Sequence, residues 1–481
     1  MRKIIVVVLA AMFLLPFTGA AQALKGSYFL DNSAQRNQMN PAFAPRTNYV
    51  MIPAVGDFGL GLLSNLDIST FLYPMDGQLA TFLHPSVTVE QFDRALAKHP
   101  HLDAEFGTNL VNFGFYTKRG SFWTFDLSLR TGLDVDLPRD LFMFMKKGTG
   151  LEAETFNIAN INAYATAAVT ASLGYSRKIG ESLRVGARVR FIAPVAYAEL
   201  NLDNVRLMTG KEKWEVKTDG SLHAVMHGLD ISMPENGYMP DIRFDKNRFV
   251  ENKVLAGYGG SIDLGVEWKL NIGSLFDGLS VSASVTDLGW IQYKKGAQQT
   301  FATQGSFVWD GFQDVDQHFD FNGALDEVLD DAKALMNIEK KEDAEQLVRS
   351  TMPRVYAGVE VPFCWDRMSA GLLYSGRFSH SYYRQELTAS YNLKAFRWLS
   401  LGVNYSFLNT AKTIGWILEV TPKAGMNFFI GGDYLPTEWA SAPILDSLIT
   451  MPDFLVQKGH AHPYLPMSYR FNLHFGMSVA F

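Results

Sequence analysis

Residue types able to do chemistry are thinly spread along this sequence. Histidines pair at His99-Pro100-His101 and His460-Ala461-His462, a spacing that can hold a metal ion in a loop. No nearby cysteine or fixed carboxylate completes a tetrahedral set, so loop polarity is the better account. No metal or cofactor is expected. G-x-S-x-G, H-E-x-x-H and a Walker phosphate loop are all absent, and the chain is read as a non-enzyme. A triad assembled from separate strands would leave no spacing signal, so catalysis stays a minor alternative. What recurs instead is charge of both signs on one parity of otherwise apolar runs. Asp126, Arg130, Arg184, Arg188, Arg190, Asp263, Glu267, Arg354, Glu360, Arg377, Arg384, Glu386 and Arg470 belong to this set. An ion-selective ring would carry one sign; mixed signs suit a network that holds an internal segment. Plain solvation of a wet interior is the competing reading.

Alternation at period two means strands. From Tyr469 to Phe481 the odd positions are Tyr469, Phe471, Leu473, Phe475, Met477, Val479 and Phe481, and the even ones are polar or small. Leu399–Phe407, Ile262–Leu270 and Leu183–Phe191 repeat the pattern, with Arg184, Arg188, Arg190, Asp263 and Glu267 on the polar parity. Charges at that density would be costly to bury in a soluble sandwich. They suit a barrel with lipid on one face and a polar lumen on the other. The fold expected is an all-β, transmembrane, antiparallel up-and-down barrel of about 14 strands. The spans are 49–66, 108–117, 121–137, 162–178, 183–197, 254–270, 279–294, 353–363, 367–378, 382–394, 398–408, 411–421, 424–434 and 469–481. If the last strand ends in the periplasm, alternation assigns each connection to one side or the other. Lys118–Gly120, Ile179–Ser182, Asn271–Gly278, Cys364–Asp366, Ala395–Arg397 and Pro422–Lys423 are short. Asp67–Gly107, Pro138–Ile161, Ala198–Lys253, Lys295–Met352 and Leu435–Ser468 are long. Short periplasmic turns and long outer loops are the asymmetry of bacterial outer-membrane barrels.

Bulk properties agree. Arg2 and Lys3, the apolar run Ile4–Phe17 and Ala21-Gln22-Ala23 make a secretory signal over 1–23. The segments expected are that signal, an N-terminal plug over 24–48 and the barrel over 49–481. Without Arg2 and Lys3 the chain carries 41 basic against 49 acidic residues, which gives nucleic acid no electrostatic footprint. A single cysteine, Cys364, rules out an internal disulfide framework. No later run reaches the length of a membrane helix, while aromatics at 13% and 40 glycines suit barrel strands. Among the loops, Leu325–Ile338 has helical apolar spacing and reads as an amphipathic pair over the mouth. Thr88–Lys98 is a weaker helix, and Asn201–Gly220 an extended outer hairpin.

Before the first strand stand Gly26-Ser-Tyr-Phe-Leu-Asp-Asn32 and Asn37-Gln-Met-Asn-Pro-Ala-Phe-Ala-Pro45. This Asn-Pro-Ala element resembles the N-terminal segment of FadL-type fatty acid transporters and of PorV-type barrels of the Bacteroidota type IX secretion system. Gly59-Leu-Gly61 and Leu279–Trp290 look like an uncharacterised Bacteroidota branch of that group. The resemblance implies fourteen strands, a lumen-lodged N-terminus containing Asn40, Pro41 and Ala42, and passage of a small hydrophobic molecule. Its PorV side implies instead a scaffold for secreted or surface proteins. A terminal Phe481 after the strand carrying Tyr469, Phe471 and Phe475 looks like the assembly signal read by the barrel-assembly machinery. The expected location is the outer membrane, with its lipid as partner.

Overall fold

The computed structural model describes all residues except 1–23, 54, 76–77, 149–153, 204, 210–213, 233–240, 252–253, 273–275, 310–337, 344–346, 366, 379–382, 408–412, 423–424, 436–438, 442–463 and 467–469. The signal over 1–23, most of the helix pair expected in Leu325–Ile338, Tyr469, and the pair His460 and His462 lie outside the described residues.

Fourteen antiparallel staves close on themselves. The first, β1, is broken into Tyr49–Met51 and Phe58–Ser64. There follow β2 (His101–Tyr116), β3 (Phe122–Asp136), β4 (Ile161–Ile179), β5 (Leu183–Leu202), β6 (Gly257–Ile272) and β7 (Phe276–Tyr293). The second half is β8 (Arg354–Phe363), β9 (Met368–Phe378), β10 (Tyr383–Phe396), β11 (Leu399–Ser406), β12 (Thr413–Val420), β13 (Met426–Gly432) and β14 (Arg470–Ala480). Each pairs with the next, and β14 returns to β1 through Tyr49↔Ala480 and Phe58↔Phe475. Closure leaves no sheet edge, which a strand in lipid cannot tolerate. The break in β1 is stitched where Gly56 N donates to Ile52 O at 2.6 Å and Met477 N donates to Gly56 O.

The ring is inside out relative to a soluble sheet. On β5 and β6 the outward side chains Val189, Phe191, Leu264 and Trp268 are 51–62% exposed, while Arg188, Arg190 and Asp263 between them are 0–4% exposed. Aromatic pairs cluster at both ends of the outer face. Tyr258–Trp290, Phe378–Tyr383 and Tyr405–Phe407 sit at the long-loop end. Trp123–Tyr175, Phe363–Tyr391 and Phe396–Trp398 sit at the short-turn end. Paired aromatic girdles around an apolar band are what a bilayer requires.

Two expectations need correction. β2 starts at His101, not near 108, because a bulge between Asn109 and Val111 shifts its parity. Before the bulge the odd residues face in, among them Asp103, Glu105 and Asn109; after it the even ones do, beginning with Asn112. A period-two pattern cannot be read through an extra residue. The outer hairpin is also larger than 201–220. Arg206–Thr209 pairs with Trp214–Val225, which itself pairs with β5 and with Gln298–Trp309, so sheet continues above the ring. Within the loop after β1 the helix is Val89–Ala95, with the Thr88 side chain accepting from Gln91 N at 3.1 Å. Its Phe92 joins Phe82, Phe142, Met143 and Phe156 in a small apolar core.

Candidate functional site

The N-terminal segment lies against inward-facing side chains of the strands. Hydrogen bonds from residues 25–45 reach strands all round the ring. Lys25 N and Gly26 N donate to the two carboxylate oxygens of Asp433, just after β13, at 2.7 and 2.8 Å. Lys25 Nζ donates to Glu386 on β10 at 2.5 Å, and the Tyr434 hydroxyl bridges the two. The Tyr28 hydroxyl meets Ser282 Oγ on β7 at 3.1 Å, and Ser284 Oγ donates to Met39 O at 2.6 Å. Arg188 on β5 donates to both oxygens of Asn37. Tyr116 on β2 donates to Pro45 O at 2.7 Å. The segment closes a series of short turns, among them Lys25–Ser27 and Arg36–Met39, and wall side chains satisfy further backbone groups.

Asn40-Pro41-Ala42 sits on a notch in the wall. Gly186 on β5 and Gly265 on β6 are cross-strand partners. A Cβ on Gly186 would collide with the Pro41 carbonyl, and one on Gly265 with the Asn40 side chain. Two facing glycines thus let a backbone approach as closely as the sheet allows. Asn40 Nδ2 donates to Val266 O at 3.1 Å and lies 3.4 Å from Ala283 O, while its Oδ1 accepts from Ala42 N at 3.0 Å. Asn40 and Ala42 are both fully buried.

Apolar side chains of the segment cover the few apolar inward positions of the wall. Tyr28, Phe29, Met39 and Phe43 pack with Tyr356 on β8 and Leu373 on β9. Leu24 and Leu30 pack with Ile417 on β12 and Phe429 on β13. Nearby, Asp31 gathers Arg36 at 2.8 Å, Arg46 at 3.2 Å and Lys394 at 3.4 Å. Burial alone would raise the Asp31 carboxyl, but Arg36 and Lys394 outweigh it and hold it well below the usual carboxylate range. Arg36 also stacks over Phe43, 3.9 Å from the ring centre.

The thirteen inward charges expected from sequence fall into three groups. Arg188 and Glu386 bond the segment directly; Glu267 lies 4.0 Å from Arg36, and Glu360 is within its electrostatic reach. Others serve the wall. Arg190 pairs with Asp263 and Asp287, and Arg188 also reaches Asp263. Asp126 accepts from Asn112 and Ser128, Arg130 is 3.4 Å from Ser128 Oγ, and Arg184 is 3.4 Å from Ser176 Oγ. Arg470 ties the loop after β1 by donating to Ser64 O and Asp67. The third group, Arg354, Arg377 and Arg384, points toward the opposite wall and meets Asp103, Glu105, Asp134 and Asp136. Between this group and Lys25 lies a cavity of about 60 Å³, room for a few water molecules. The receiving acids, the glycine notch and Asp433 were not read from sequence. Of the C-terminal residues, Phe471 faces out, Phe475 stacks on Phe58 at 4.8 Å, and Phe481 is 71% exposed with its N–H on Asn48 O at 3.1 Å. His101 is buried at the start of β2 and His99 is exposed; no group of three metal-ligating side chains forms among the described residues.

An apolar outer band, aromatic girdles and a charged interior define a membrane-spanning β-barrel. More particularly, a family model described as "Family of unknown function (DUF5723)" matches residues 41–433, and the chain belongs to that family. No curated protein matches. Among solved structures the chain is similar to a Pseudomonas aeruginosa FadL homologue, at 10% identity and TM-score 0.40, covering 96% of this chain and 98% of that one. It is also similar to the Pseudomonas putida toluene transporter TodX, at 9% identity and TM-score 0.35, covering 96% and 94%.

Proposed function

We propose that the protein is an outer-membrane transport barrel for small molecules, with residues 24–48 acting as a plug that gives way to cargo. The observation that carries this reading is the match between plug and wall. Tyr28, Phe29, Leu24 and Leu30 cover Tyr356, Leu373, Ile417 and Phe429. Withdrawal of the plug would uncover those four side chains, and Tyr49, Met51 and Phe122 beside Ala34. A small hydrophobic molecule would regain the burial that the plug gives up, at roughly 25 cal/mol per Å². Long loops at one end and short turns at the other support a reading in which the long-loop end faces the cell exterior.

The experiment is uptake. A deletion strain complemented with the full chain should take up a labelled long-chain fatty acid or toluene faster than the strain without it. Leu373→Gln with Ile417→Gln should lose most of that gain while still migrating as a heat-modifiable barrel. Equal uptake by all three strains across fatty acids and monoaromatics would overturn the cargo reading. The scaffold alternative is favoured by the closure of the lumen; it requires that partner proteins be retained by the barrel with no change in uptake.

A further inference from the structure

Arg354, Arg377 and Arg384 lie on adjacent strands, β8, β9 and β10, near the long-loop end. Their carboxylate partners lie on β2 and β3. Counting round the ring, β2 and β9 are seven strands apart in either direction, which makes them opposite walls. Arg377 Nη1 is 2.5 Å from Glu105, and Arg377 Nη2 is 3.7 Å from Asp134. Arg354 reaches Glu105 at 3.1 Å. Arg384 meets Asp134 at 2.9 Å, Asp136 at 3.4 Å and also Asp103. Side chains from opposite walls touch, so the lumen is crossed at this level. All four acids are buried, as is Arg384.

We propose that this network is a second barrier, an ionic septum in series with the plug and on its long-loop side. A solute passing here must part charges that have already left water. Separating such a pair strands an uncompensated buried charge, which is far costlier than breaking a surface pair. Shared acids and multiply bonded guanidiniums also fix the geometry. An apolar solute offers these groups nothing in exchange. The septum differs from the plug in kind: one closes by charge, the other by shape and apolar cover. The inference rests on reading the lumen as a passage.

Four barrels reconstituted in planar bilayers test it: the full chain, deletion of residues 26–45, Arg377→Ala with Arg384→Ala, and both changes together. Heat-modifiable migration identifies folded barrels. A second septum variant, Arg377→Gln and Arg384→Gln with Asp103→Asn, Asp134→Asn and Asp136→Asn, removes both signs and leaves Glu105 its partner Arg354. Stable conductance steps in potassium chloride are expected only when plug and septum are both changed, with either septum variant. Conductance from the deletion alone, equal to the combined variant, overturns the septum and leaves the plug as the closure. Conductance from the septum variants alone overturns closure by the plug, and with it the series arrangement. A silent combined variant overturns both barriers.

Discussion

Gly265 is the residue on which the seating of the segment turns. Its missing side chain makes the space that Asn40 fills, and Gly186 does the same for Pro41. Gly265→Val should therefore loosen the segment while leaving the ring intact, since outward neighbours Leu264 and Val266 still face lipid. Overpacking of this kind costs about 1–3 kcal/mol. The readout is the urea concentration at which residues 24–48 become accessible to protease in the folded barrel. Gly296→Val is the control, because a Cβ there would meet nothing within 4 Å. An unchanged midpoint for Gly265→Val would mean that the notch does not seat Asn40. The notch was illegible in sequence for a physical reason. A glycine at a polar position of an alternating run is indistinguishable from a small filler until its cross-strand partner is known. Arg188, Glu267 and Glu386 were legible as inward charges because parity alone decides the face. Their partners depend on which strands lie opposite, and that is a property of the closed ring.

At the scale of elements, the strands were legible where alternation ran unbroken. β8 through β14 sit within a few residues of their expected spans, and each has one face in lipid, which imposes a strict period of two. The pattern failed at β2, where Leu110 is the extra residue and the inward acids Asp103 and Glu105 fall on the other parity. It failed differently above the membrane, where strands such as Trp214–Val225 have no lipid face to impose a pattern. β14 carries the element-scale expectation. Its outward Phe471, Leu473 and Phe475 continue to a Phe481 that lies beyond the last ladder pair and exposes most of its ring. A side chain so exposed makes few contacts in the finished barrel, and we propose that it acts in recognition during assembly. Phe481→Asp should reduce the yield of heat-modifiable barrel in outer membranes several-fold more than Val479→Asp. Equal yields would remove the case for a terminal signal.

For the whole molecule, the arrangement proposed is a membrane ring whose lumen is filled from within the same chain. A ring of fourteen strands is wider than small barrels that wall side chains alone can fill, by comparison with eight-stranded ones. Two devices would take up that width here: the proposed plug over 24–48, and arginines long enough to meet acids on the opposite wall. Both use the inward polar parity, and neither alters the lipid-facing one. The central claim is that the segment lies inside the ring, and Met39 is the position that reports on it most directly. Met39 is fully buried among Tyr28, Phe43 and Leu373, with its carbonyl held by Ser284. The measurement is the rate of maleimide labelling of Met39→Cys in a Cys364→Ser background, in liposomes, beside Lys118→Cys in an exposed turn. The account predicts that the thiol at 39 reacts far more slowly than that at 118, and catches up only when the barrel is unfolded. Labelling of both at the same rate in the folded barrel would contradict it.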